Sequence, residues 1–224
     1  MKQARATPAE RARAMRIYHA LEKAWPNAKC ELNWSQPHEL LIATILSAQS
    51  TDVAVNAATP TLFEAYPTPA DFAQATPSDI EPFIATIGLY RNKARSVVES
   101  MQRVVEVHHG EVPQTMAALT ALRGVARKTA NVVLGNAFGI NEGVVVDTHV
   151  ARLSWRFGLT DEQKNTGQIE ADLMARFPRS RWTMLSHLLI FQGRYACKAR
   201  HCECGSHPIC RHYRRPDRCT NLTA

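Results

Sequence analysis

Apolar residues recur at helical spacing along almost the whole chain, and a single short run has the pattern of a strand. Thr76-Pro77-Ser78-Asp79 joins a capping hydroxyl, a first-turn proline and an acid, which is a strong helix start. Ile80, Phe83, Ile84 and Ile87 continue that helix, and the pattern stops it at Gly88. From Asn92 the apolar positions are Ala94, Val97, Val98, Met101, Val104 and Val105; Gly110 ends this helix and Pro113 prevents its resumption. Ser35 is a cap candidate ahead of Pro37, and Thr51 or Asp52 caps the next helix. Further helices are expected over 115–122, 128–138 (closed by Gly139), 147–157, 169–177 and 180 to about 195. Val144-Val145-Val146 reads as a strand, and three residues cannot build a sheet. The expectation is an all-α protein whose Gly139–Gly143 turn joins two helical lobes.

At 224 residues the chain suits one globular body or two small lobes, and its 45% hydrophobic and 21% charged content excludes a disordered chain. No apolar run approaches the roughly 20 residues that cross a bilayer. Met1-Lys-Gln-Ala-Arg5 leads into a charged segment with no apolar stretch, so no secretory signal is expected and a reducing cytoplasm is the default compartment. The net charge of +7 invites a polyanion, and nucleic acid is the commonest one.

Cys30 stands alone, while Cys197, Cys202, Cys204, Cys210 and Cys219 fall within the last 28 residues. In a reducing compartment such a cluster reads as a metal site before it reads as disulfides. Four thiolates hold either zinc or a [4Fe–4S] cluster.

The segment Leu119 to Ala130 joins two short helices by a tight turn at Arg123–Ala126. A turn that presents backbone N–H groups at a helix start can hold a phosphate, and Arg123, Arg127 and Lys128 add positive charge there. The same residues also suit a plain helix–turn–helix with solvated basic side chains. The run Leu122-Arg-Gly-Val-Ala-Arg-Lys-Thr-Ala130 resembles the helix–hairpin–helix of the endonuclease III family of DNA glycosylases. The resemblance extends upstream through Glu39-Leu-Leu-Ile-Ala, Leu46-Ser-Ala-Gln-Ser-Thr-Asp52, Ile87-Gly-Leu-Tyr90, Lys93-Ala94 and Gly110-Glu-Val-Pro113. Downstream it runs through Val145-Val-Asp-Thr-His149 to Gly193-Arg-Tyr195 and Cys197, in the family's order. Arg123 stands where the family's turn has proline and Ala126 where it has a second glycine; a methyl there can hold a phosphate further off, and Arg123 can add a contact of its own.

The resemblance implies two lobes flanking a DNA-binding cleft. One is a helical barrel over 30–140 with its hairpin at 115–138; the other joins 1–29 to 141–224 and carries the cluster loop. It implies a bifunctional glycosylase and AP lyase of base excision repair, acting as a monomer on double-stranded DNA with oxidised pyrimidines or abasic sites. A bacterial member would work in the cytoplasm at the nucleoid. By this resemblance Lys128 is the nucleophile. A neutral amine displaces the base at C1′, leaves an iminium, and so acidifies C2′ for β-elimination. Burial and neighbouring positive charge are the two means of neutralising it. Asp147 is the family's carboxylate and also a natural N-cap. Gln49 and Leu89 fill the gap left by a flipped base and wedge the opposite strand, while Arg123, Gly124, Ala126 and Arg127 form the hairpin's DNA contact. His149 is expected to be a local hydrogen-bonding residue. The loop between Lys128 and Asp147 is one residue longer than is usual, and a surface bulge at 140–143 is expected.

The family's spacing is C-x6-C-x2-C-x5-C around a [4Fe–4S] cluster. Here it becomes C-x6-C-x5-C-x8-C, which implies Cys197, Cys204, Cys210 and Cys219 as ligands, with Cys202 or His207 as the alternative for one of them. Lys198, Arg200, Arg211, Arg214, Arg215 and Arg218 around the thiols either clamp the phosphate backbone or neutralise the thiolates. Two rival functions remain open: a monofunctional glycosylase of the same superfamily, which typically lacks the hairpin lysine, and a non-catalytic iron–sulfur damage scanner or redox sensor.

Overall fold

The computed structural model describes residues 6–200 and 205–219, and every regular element in them is helical. The α-helices are α1 (Pro8–Ala24), α2 (Pro37–Ser47), α3 (Asp52–Ala65), α4 (Pro69–Gln74), α5 (Pro77–Ile84) and α6 (Tyr90–His108). They continue as α7 (Met116–Thr120), α8 (Arg127–Ala137), α9 (Thr148–Arg156), α10 (Thr166–Arg176), α11 (Trp182–Phe191) and α12 (Pro208–Tyr213). No helix among the described residues is long and apolar enough to cross a membrane. The chain divides into two compact units, residues 31–140 and residues 1–30 with 141–224.

Capping sets the helix starts. Thr7, Thr68 and Thr76 each precede a proline at the first helical position and an acid at the third; the first two pairs cap reciprocally, and Thr76 donates its N–H and hydroxyl to Asp79. Pro37 holds the same first position in α2, so Gln36 rather than Ser35 is the N-cap. Ser35 works one step outside: its N–H and hydroxyl donate to Glu39 Oε2 at 2.5 and 2.8 Å, beside the Gln36 N–H at 3.2 Å. Helix α5 stops at Ile84, short of Gly88. Ile87 closes a turn onto the Ile84 carbonyl at 2.9 Å and remains buried.

In the unit of 31–140, α2 is apolar on nearly every side and buried from Leu40 to Leu46, the pattern of a central helix. The amphipathic α6 covers the core with Ala94, Val97, Val98, Met101 and Val104. In the other unit, Ile17, Tyr18 and Leu21 of α1 join one apolar core with Leu153 and Phe157, Ile169 and Leu173, and Leu185, Leu188 and Leu189. Cys197, Cys210 and Cys219 belong to that core.

Val144-Val145-Val146 is buried but is not a strand, since no partner strand exists among the described residues; the Val145 N–H is satisfied by Ser186 Oγ at 2.9 Å. The segment ahead of it is not a loose surface bulge. Asn141 and Glu142 are half-buried; Arg179 Nε donates to the Asn141 carbonyl at 2.6 Å, and Asn141 Oδ1 accepts from Thr183 N and Oγ1 at 2.9 and 2.7 Å. Helix α10 begins three residues ahead of Ile169, where Asn165 Oδ1 caps the Gln168 N–H at 3.1 Å. The single helix expected over 180–195 opens as a 3-10 turn and closes as a wide π turn at Gln192–Ala196, where the Cys197 N–H reaches the Gln192 carbonyl.

Candidate active site

The hairpin is α7, a turn over 121–126, and α8. Gly124 has φ of +76°, and a Cβ there would stand 3.0 Å from Ser96 Cβ, so glycine is required for both conformation and space. Ser100 Oγ donates to the Arg123 carbonyl at 2.7 Å and pins the turn to α6. Ala126 is the N-cap of α8 at φ −86°, ψ 169°, extended backbone that alanine adopts freely. The hairpin shape therefore survives the change from glycine. Arg123 is engaged by Glu99 at 3.2 Å, which also holds Arg95 at 2.6 Å. Arg127 and Lys128 are exposed in the first turn of α8, where the helix leaves amides without intrahelical acceptors.

Three non-glycine residues among those described have positive φ: Gln49 at 55°, Leu89 at 61° and His109 at 54°. Leu89 is 58% exposed, and Gln49 is exposed too. A left-handed conformation costs such side chains about 1 kcal/mol or more, and it is retained where surroundings or function impose it. Lys93, in the turn of α6 that follows Leu89, donates from Nζ to Ser50 Oγ at 2.9 Å.

In the other unit Asp147 is the N-cap of α9, with Oδ1 accepting from the Val150 N–H at 2.7 Å. One turn on, Arg152 Nη2 lies 3.2 Å from His149 Nδ1 and donates to the Gly193 and Cys197 carbonyls at 2.9 and 3.0 Å. Burial holds His149 below its ordinary range, against the opposing pull of the Asp147 carboxylate. Gly193 is the close-packed point: a Cβ would stand 2.9 Å from His149 Cβ.

Arg156, the next turn of α9, donates from Nη1 to Cys197 Sγ at 3.0 Å. The Cys197 thiol is lowered to about 6, first by a hydrogen bond from Cys210 and then by the Arg156 guanidinium, against its burial. The same hydrogen bond and burial push Cys210 up. Gln192, fully buried, donates from Nε2 to Cys210 Sγ at 3.2 Å and accepts from Trp25 Nε1 at 2.7 Å. His207 Nδ1 lies 3.3 Å from the same Gln192 nitrogen and its ring stacks on Trp25. Cys202 and Cys204 lie outside the described residues. Among those described, no three His, Cys, Asp or Glu side chains already stand as a metal site. Of the surrounding basic residues, Lys198, Arg200, Arg211 and Arg215 are exposed. Arg218 instead turns inward, donating to the Trp155 and Thr160 carbonyls at 3.1 and 2.8 Å and pairing with Asp161.

Residues 42–179 match the family model of the HhH-GPD superfamily base excision DNA repair protein. The chain is 48% identical over 193 residues to endonuclease III of Synechocystis, covering 86% of this chain and 88% of that protein. Endonuclease III of Escherichia coli K12 is 43% identical over 196 residues, covering 88% and 92%. The chain belongs to the endonuclease III family. A solved structure of a trapped covalent endonuclease III–DNA intermediate superposes with a TM-score of 0.86 at 41% identity, covering 92% of this chain and 95% of that one. A thermostable thymine-DNA glycosylase shares the fold, with a TM-score of 0.78 at 21% identity and coverage of 91% and 95%. Endonuclease III is a DNA glycosylase and AP lyase of base excision repair.

Within this member of the endonuclease III family, several supports escape a reading of the sequence. Ser96 and Ser100 look like a solvated helix face, and Arg152, Arg156 and Gln192 look like ordinary helix residues. The i, i+4 spacing of the two serines and of the two arginines was the one available signal, and Gln192 had none.

Proposed function

We propose that the chain is a bifunctional DNA glycosylase and AP lyase that removes oxidised pyrimidines through an iminium on Lys128. The observation that carries the reading is Lys128 itself, exposed in the first turn of α8 directly after the hairpin turn. An accessible amine beside helix-start amides suits a sugar whose flanking phosphates those amides hold. Asp147 steadies the positive charge that develops on the sugar. Its bond to the Val150 N–H fixes one carboxylate oxygen and leaves the second for that task. Gln49 and Leu89 enter the stack when the damaged base leaves it, and the hairpin turn with Arg123, Gly124, Ala126 and Arg127 holds the backbone. The enzyme works as a monomer on duplex DNA, in the cytoplasm at the nucleoid; the bacterial relatives support this compartment.

The thiol set suits the [4Fe–4S] cluster that the family implies. Cys197, Cys210 and Cys219 are buried in one core, and basic and amide donors already face their sulfurs. Those donors match the anionic charge of a thiolate cluster. Cys197, Cys204, Cys210 and Cys219 would hold it, and His207 is turned to Gln192 and Trp25. When bound, the cluster supplies a folding clamp for the loop rather than a step in base removal.

Borohydride trapping tests the reading. Duplexes carrying one thymine glycol or one abasic site should each give a covalent adduct, and Lys128→Ala should give none. An adduct on the abasic duplex alone would remove oxidised pyrimidines as the substrate class. No adduct on either duplex, with binding intact, would overturn the lysine mechanism.

A further inference from the structure

Lys93 occupies an unusual setting for a lysine near a solvent-facing helix start. It is 6% exposed, its Nζ donates to Ser50 Oγ at 2.9 Å, and among the described residues no carboxylate stands at ion-pair distance. Burial pushes its ammonium below the ordinary range. Holding an ammonium out of water against one hydroxyl is costly, and an apolar side chain of the same length would fill the space without that cost.

The bond's position suggests what it does. Ser50 directly follows Gln49, and the Lys93 N–H donates to the Leu89 carbonyl at 3.1 Å. Lys93 therefore bonds through its side chain to the neighbour of Gln49 and through its backbone N–H to Leu89, and so links two exposed left-handed positions that are far apart in the sequence. We propose that the Lys93–Ser50 bond is a positioning contact that makes Gln49 and Leu89 act as a single wedge when the duplex is opened. This rests on the reading of those two residues as the inserting pair. Neither Lys93 nor Ser50 touches the reacting sugar in this account; they act by fixing the spacing of the two tips. Without the bond each tip must find its own position in the helix, and the ordering cost falls on the flipping step.

The test is a coupling measurement. Single-turnover excision of thymine glycol, with 2-aminopurine fluorescence beside the lesion to report unstacking, is measured for Gln49→Ala, Leu89→Ala and the pair. The set is repeated in Ser50→Ala and Lys93→Met backgrounds, with the Tm of every variant. In the intact protein the paired change should cost at least about fivefold less than the product of the single effects. In either background the two effects should multiply. Lys93→Met should hold or raise Tm, so that loss of coupling is not loss of fold; Ser50→Ala gives the same comparison should the methionine chain fail to fold. Multiplying effects in the intact protein, or coupling that survives both backgrounds, would overturn the proposal. If neither Gln49→Ala nor Leu89→Ala changes rate or fluorescence, the insertion reading itself fails and the proposal falls with it.

Discussion

At the residue scale, the strained positions make a prediction that separates stability from activity. Leu89 is mostly exposed and sits at φ 61°, so Leu89→Gly gives up little burial and removes the left-handed strain. Its thermal and urea stability should hold or rise by up to about 1 kcal/mol, while the proposed role of Leu89 as the wedge predicts that thymine glycol excision slows by about tenfold or more. A fall in stability of that size would show that the leucine side chain, and not the strain, dominates at this corner. None of this was legible in the sequence. A positive φ is signalled by glycine or asparagine, and Gln49 and Leu89 are neither. The positions of Lys128 at the start of α8 and of Asp147 as the N-cap of α9 were legible because their neighbours in sequence carry the pattern, whereas the partners of Gly193 and Cys197 come from α9, over forty residues away.

At the scale of elements, the capping acids link helix starts to acidity. Burial pushes Glu39 up, but the Ser35 and Gln36 donors outweigh it and hold the carboxyl below its ordinary range. Glu10, bonded to Thr7, is likewise lowered. A carboxyl lowered in the folded chain stabilises it above the unfolded pKa, and that contribution is lost as pH falls through the folded value. Glu39→Gln should therefore cost about 1 kcal/mol near pH 7. The gap between variant and parent should close below about pH 4, read from urea midpoints across pH. A gap that persists in acid would mean that the cap does not depend on charge. Helix starts of this kind were readable because cap, proline and acid are consecutive: Thr76 to Asp79 gave its position directly. Helix ends were less so, since α5 stops at Ile84 inside an unbroken apolar pattern. Val144–Val146 misled for a related reason: β-branched residues mark burial in an extended conformation, and a strand also needs a partner.

At the scale of the whole molecule, the +7 charge divides into residues that face solvent and residues that hold the fold. Arg211 is exposed beside the thiol core, whereas Arg218 is spent on the carbonyls at the end of α9. If the exposed group clamps DNA, Arg211→Ala should lower the salt dependence of duplex binding by about one ion, with Tm unchanged. Arg218→Ala should do the reverse, lowering Tm and leaving the salt slope alone. Equal slopes for parent and Arg211→Ala would assign that arginine to charge balance around the thiols. The division of the chain also has a consequence for its biosynthesis. Helix α1 leaves the ribosome before the other helices described, yet its core partners lie beyond residue 140. At bacterial elongation speeds the intervening unit takes about ten seconds to emerge. Through that interval the later core partners of Ile17, Tyr18 and Leu21 are not yet made, while the unit of 31–140 already has all of its own residues. On the nascent chain α1 therefore waits for its core partners longer than any helix of the 31–140 unit waits for its own.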